Sequence, residues 1–126
     1  MQRRSFLRNT GITIAGLSLL NKEILAAFLN QPAWKIKMLT GDIGIFNERG
    51  GTIGFLLTKK GIVVIDAQFP DTAPHVIEEL KKKSDKPFRY LLNTHHHGDH
   101  TAGNMAFKGL VEHVVAHENS KANQLR

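Results

Sequence analysis

From Trp34 onward, large apolar side chains recur at alternate positions in short runs broken by glycines and lysines, the pattern of half-buried strands joined by tight turns. Trp34 to Leu39 alternates apolar residues with Lys35 and Lys37 and predicts a first strand. Gly41-Asp42 turns the chain into a second, Ile43 to Arg49, and Gly50-Gly51 offers the positive φ of a hairpin leading into a third, Thr52 to Thr58. Lys59-Lys60-Gly61 turns the chain again. Ile62-Val63-Val64-Ile65 is then a continuous β-branched run, which predicts a strand buried on both faces and ending at Asp66.

Past Asp66 the apolar period lengthens. Val76, Ile77 and Leu80 share one face of a helix that Asp71 or Thr72 can cap, with Pro74 in its first turn and Lys81-Lys82-Lys83 against its negative end. Pro87 releases a short strand, Phe88 to Leu92. Asn104 to Phe107 predicts one helical turn, Val111 to Val115 a further strand, and Glu118 onward the start of a helix. No internal repeat or low-complexity linker interrupts this succession.

Residues 1–27 read differently. A basic segment, Arg3-Arg4-Ser5-Phe6-Leu7-Arg8, precedes an apolar or small stretch from Gly11 to Leu20 that is too short to span a bilayer comfortably, and together these predict an export signal rather than part of the fold. The paired arginines resemble a twin-arginine signal, with Gln2 where Ser or Thr is usual and Arg8 in place of Lys, which implies a periplasmic location. Ala26-Ala27 are small enough for cleavage, yet Ile24 and Leu25 are not, so both a cleaved signal and an uncleaved anchor fit. An ordinary amphipathic first helix is the alternative.

At 126 residues and 41% hydrophobic content, the chain supports one small core, expected over residues 28–126. The formal charge of +6 divides equally between residues 1–27 and the remainder. The lysine cluster near residue 82 lacks the interleaved aromatics of a stacking groove, so the sequence predicts no nucleic-acid partner. With no cysteine, disulfides and thiolate ligands are excluded, and any metal site must use imidazole and carboxylate.

Such groups are concentrated in Thr94-His95-His96-His97-Gly98-Asp99-His100-Thr101, directly after an apolar strand. In a looping backbone His95 and His97, two residues apart, can hold one ion, while Asp99 and His100, after a bend at Gly98, can turn to a second. Two ions about 3.5 to 4 Å apart bring the pKa of water towards 7, so that no protein nucleophile is needed. A histidine-rich surface loop that binds metal adventitiously is the plainer reading of the same residues.

His95-x-His97-x-Asp99-His100, preceded by Leu91-Leu92-Asn93-Thr94 and followed by Thr101-Ala102-Gly103-Asn104, resembles the metal motif of the metallo-β-lactamase superfamily. Gly61 to Asp66 is similar to the strand and aspartate before the first helix of that fold, and the likeness covers about residues 34 to 118. The resemblance implies an α+β chain forming the N-terminal half of an αββα sandwich, a mixed, mainly antiparallel sheet with flanking helices. It implies His95 and His97 on one metal, Asp99 and His100 on the other, Asp99 also acting catalytically by orienting the bridging hydroxide, and Asp66 steadying the loop. Zinc is the implied metal, with iron an alternative.

The family's remaining ligands lie in a second half with no counterpart here, so the comparison also implies a truncated product, with an apolar face and a sheet edge left open. The implied activity is metal-dependent hydrolysis of an ester, thioester, amide or β-lactam in a small-molecule substrate. An iron-dependent oxidoreductase and a non-catalytic metal-binding fragment are the other classes. Membrane contact is expected through the signal segment alone. His96 is expected to point away from the ions, His117 to serve structure or surface, and His75 and His113 to be ordinary solvated side chains.

Overall fold

The computed structural model of the protein describes residues 22–125; the basic and apolar segments read as an export signal lie outside them. The chain divides into two compact units at Pro32. In the first, helix α1 (Lys22–Leu29) has no buried residue and runs across the expected boundary at Ala27. The second carries all the strands among the described residues.

Six strands form one sheet in sequence order: β1 (Lys35–Met38), β2 (Ile43–Glu48), β3 (Gly51–Thr58), β4 (Gly61–Ile65), β5 (Phe88–Asn93) and β6 (Val111–Ala116). The first four pair antiparallel, and β5 and β6 add parallel to β4 and to each other. Parallel pairing needs a crossover. Helix α2 (Ala73–Lys83) supplies the one between β4 and β5, while a single turn, α3 (Gly98–Thr101), and a 3-10 segment (Ala102–Phe107) lie between β5 and β6. Helix α4 (Glu118–Gln124) follows. The expected α+β class and mixed, mainly antiparallel sheet are therefore present.

The β2–β3 hairpin turns one residue earlier than expected. Arg49 (φ 48°) and Gly50 (φ 77°) are the two left-handed residues, and Glu48 pairs directly with Gly51, a two-residue loop whose twist suits adjacent antiparallel strands. Bidentate contact of Arg49 with Asp71 and the stacking of its guanidinium 4.6 Å over Phe69 hold that non-glycine residue in place.

The core lies on one face of the sheet. Phe46, Ile53, Phe55, Ile62, Val64, Phe88 and Leu91 pack against Val76, Ile77 and Leu80 of α2 and against Phe107. Each fully buried side chain of this size contributes about 2 kcal/mol through removal of apolar area from water. The expectation that β4 is buried on both faces is corrected: Val63 is half-buried and Ile65 is 38% exposed. Cross-strand pairing puts Val63 and Tyr90, and Ile65 and Leu92, on the face opposite α2, where the helical layer does not cover them. Thr72 occupies the N-cap position of α2, yet its hydroxyl exchanges hydrogen bonds with the Phe69 backbone rather than capping the helix.

Candidate metal centre

The histidine loop leaves the end of β5 beside the end of β4, because parallel pairing places those two ends together and Asp66 N–H donates to the Leu92 carbonyl at 2.8 Å. Two more backbone bonds fasten the loop: Ala67 N–H to the His100 carbonyl and Gly103 N–H to the Gln68 carbonyl, both 2.8 Å. A β-carbon at 103 would collide with the carbonyl oxygens of Ala67 and Phe69, so this close approach admits only glycine. Asn93 and Asn104 exchange reciprocal amide hydrogen bonds of 3.0 and 2.8 Å, closing the loop across its base.

Within this frame Asp66 organises the imidazoles. Its buried carboxylate accepts from Thr94 N–H, from Thr94 Oγ1 and from His100 Nδ1, each at 2.8 Å. A carboxylate oxygen only accepts, so Nδ1 of His100 carries a hydrogen, and Nε2, which faces Asp99 Oδ2 at 3.3 Å, is the ring atom left to meet a metal. Thr94 spends its own hydrogen on Asp66, so the 2.9 Å contact between Thr94 Oγ1 and His95 Nδ1 is a donation from His95, which leaves His95 Nε2 free as well. One carboxylate thus sets two tautomers, directly and through a threonine. The strand-ending aspartate was legible in the sequence; the threonine relay was not, because a hydroxyl beside a histidine carries no spacing signal.

The rings of His95 and His100 lie 4.0 Å apart by centroid, and those of His95 and His97 lie 4.7 Å apart. Asp99 Oδ2 comes within 3.3 Å of His100 Nε2. All four expected ligand residues therefore share one patch at the end of the sheet. Among the described residues, however, no three or more His, Asp or Glu side chains form a ready ligand cage. His96 stands edge-on to His97 at 4.8 Å. The donor set, imidazole Nε2 atoms with hydrogen-bonded Nδ1 partners plus an exposed carboxylate, is the chemistry that suits zinc or a similar divalent ion.

The remaining histidines separate cleanly. His117, expected to serve structure or surface, is exposed, and its Nδ1 accepts from Asn119 N–H at the start of α4. His113 is exposed and stacks on Tyr90 at 5.4 Å. His75 departs from the expectation of an ordinary solvated side chain: its Nδ1 contacts the buried Glu48 carboxylate at 2.9 Å and its ring stacks on Trp34 at 4.0 Å. It ties α2 to β2, and does so because Glu48 is carried inward by strand alternation.

A parallel strand pair ending in an aspartate-anchored loop of metal-suited donors, on one face-packed mixed sheet, defines an α+β scaffold with its chemistry at a strand end. The chain belongs to the metallo-β-lactamase superfamily, whose sequence profile matches residues 46–126. It is 34% identical over 65 residues to a probable hydroxyacylglutathione hydrolase of Schizosaccharomyces pombe, a match spanning 49% of this chain and 25% of that protein. Among solved structures, BJP-1, a subclass B3 metallo-β-lactamase of Bradyrhizobium japonicum, is 26% identical with a TM-score of 0.61, covering 69% of this chain and 34% of that one. FIM-1 of Pseudomonas aeruginosa, a metallo-β-lactamase, is similar in fold at 17% identity and a TM-score of 0.62, covering 75% of this chain and 46% of that one. The chain therefore spans about a quarter to a half of the length of these relatives.

Proposed function

We propose that this chain carries the metal-binding half-site of a hydrolase, with His95, His97, Asp99 and His100 as ligands and zinc as the metal. The observation that carries the reading is the set of contacts from His95 Nδ1 and His100 Nδ1 to the Asp66–Thr94 pair, which makes Nε2 the ring nitrogen left for a metal in two imidazoles 4.0 Å apart. When bound, the metal supplies Lewis acidity and a nucleophilic water at neutral pH. Asp99, the one ligand-set carboxylate exposed to solvent, is the group that holds a proton of the attacking water and orients it. Substrates are small molecules with an ester, thioester, amide or lactam carbonyl; the hydroxyacylglutathione hydrolase relative favours a thioester and the structural neighbours a lactam.

The test is hydrolysis of a thioester, an aryl ester and a chromogenic β-lactam by zinc-loaded protein. Turnover of at least one, abolished by chelation and lowered at least about 100-fold in Asp99→Ala, is expected. Equal turnover in that variant would remove the assignment. An oxidoreductase reading shares the nitrogen and oxygen donor set, which also accepts iron; elemental analysis of protein purified without added metal separates the two. Residues 1–27 direct export in this reading, checked by periplasmic fractionation of a fusion with Arg3 and Arg4 changed to lysine.

A further inference from the structure

Gln68 is a buried polar side chain beside this site that the chemistry above does not use. It is 2% exposed, both its amide nitrogen and its amide oxygen lack a hydrogen-bond partner among the described residues, and its backbone sits at φ 51°. A buried carboxamide with neither group satisfied and a left-handed non-glycine backbone both disfavour the fold, and an apolar residue would avoid the first of these costs. The surroundings have adapted to it as well, since a β-carbon at Gly51 would meet Gln68 Nε2.

The side chain lines a cavity of about 220 Å³ together with Arg49, Thr52, Phe69, Asp99 and His100. The cavity has room for several water molecules, each occupying about 30 Å³. Its walls are fixed from both sides, because the backbone of Gln68 accepts from Gly103 and the neighbouring Ala67 N–H donates to His100. The backbone that carries Gln68 is therefore fastened to the turn that carries Asp99. Asp99 itself has a side chain 60% exposed, and its 3.3 Å approach to His100 Nε2 is its one contact with a basic side chain among the described residues. A carboxylate that ligates a metal through one oxygen needs a donor for the other, or it swings among several geometries.

We propose that Gln68 is a positioning residue of the metal centre: its Nε2–H donates to the non-ligating oxygen of Asp99 when that carboxylate turns to a cation. The inference rests on the assignment of Asp99 as a ligand. Gln68 touches neither substrate nor metal, and it acts by fixing the carboxylate that does.

The experiment is a titration of the full chain with zinc, and with cobalt(II) followed by its visible absorption, for the native protein, Gln68→Met and Gln68→Gly, alongside thermal melts without metal. Methionine keeps the length and the backbone demand while removing both polar groups; glycine relieves the positive φ and covers the event that the methionine variant fails to fold. The expected result is metal-free stability equal to or above that of the native chain in Gln68→Met, with zinc affinity at least about tenfold weaker and a changed cobalt(II) spectrum in both variants. Unchanged affinity and spectrum in a folded variant would overturn the positioning role and leave the ligand assignment intact. A large loss of metal-free stability in both variants, with affinity unchanged in whatever remains folded, would make Gln68 structural and overturn it too. A native chain that binds neither ion would remove both this inference and the reading beneath it.

Discussion

Asp66 receives hydrogen bonds from two residues of the histidine segment through three donor atoms, from a backbone held at φ 68°. An asparagine there keeps the shape and one acceptor but replaces the other oxygen with a donor, which opposes both Thr94 Oγ1–H and His100 Nδ1–H. Asp66→Asn is therefore expected to bind zinc about 10- to 100-fold more weakly while remaining folded, as read by direct metal titration and circular dichroism. Unaltered affinity would mean that Asp66 does not set the tautomers. At this scale the sequence was informative where residue type and spacing suffice: His95, His97, Asp99 and His100 lie in one patch, short of a ready ligand cage among the described residues. It was silent on Thr94 and Gln68, whose roles depend on which atoms the fold brings within 3 Å of them or, for Gln68, fails to bring. His75 was misjudged for the same reason, because only strand alternation across the hairpin shows that Glu48 lies buried beneath it.

Helix α2 shows how an element is placed by more than its apolar stripe. Val76, Ile77 and Leu80 bury the predicted face, while Glu79 on the flank takes a hydrogen bond from Lys82 at 2.7 Å. The Lys82 bond is the main cause that holds the Glu79 carboxyl below its usual range, against a smaller opposing effect of burial. Lys82 is correspondingly raised by the same bond. A carboxyl lowered in the folded state adds stability above its unfolded pKa and loses it as pH falls through the folded one; a raised lysine adds stability that is lost only as pH climbs through its folded value. Glu79→Gln should therefore be less stable than the native chain at neutral pH, with the gap closing below about pH 4. Melting curves from pH 3 to 8 check this, and a gap that stays constant in acid would contradict it. The strands and α2 were legible because alternation and the 3.6 period are local properties. The hairpin centre slipped by one residue because the two left-handed positions are Arg49 and Gly50 rather than Gly50 and Gly51, and the compensation of Arg49 by Asp71 and Phe69 comes from residues some twenty positions away.

Over the whole folded unit, the sheet has one finished face and one open face. Leu91 and Val64 lie under α2 without exposure, whereas Ile65 and Tyr90 on the reverse are 38% and 36% exposed. Truncating Leu91 to alanine should cost about 2 to 5 kcal/mol through lost transfer energy and a residual cavity, whereas Ile65→Ala should cost under about 1 kcal/mol. Urea unfolding of the two variants tests this, and equal losses would mean that the open face is covered. Burial on both faces was expected of β4 because a continuous β-branched run describes composition, and composition does not say which layers are present to cover it. The site benefits from this arrangement through the parallel ends of β4 and β5, which carry Asp66 and the histidine loop side by side on the rigid part of the sheet. The most direct test of the metal centre is equilibrium zinc titration of the metal-free full chain and its alanine variants. The native chain should bind zinc, His95→Ala, His97→Ala, Asp99→Ala and His100→Ala should each weaken binding at least about tenfold, and His96→Ala and His113→Ala should not. Zinc affinity that is the same across all six variants, or that depends on His96 as strongly as on His95, would contradict it.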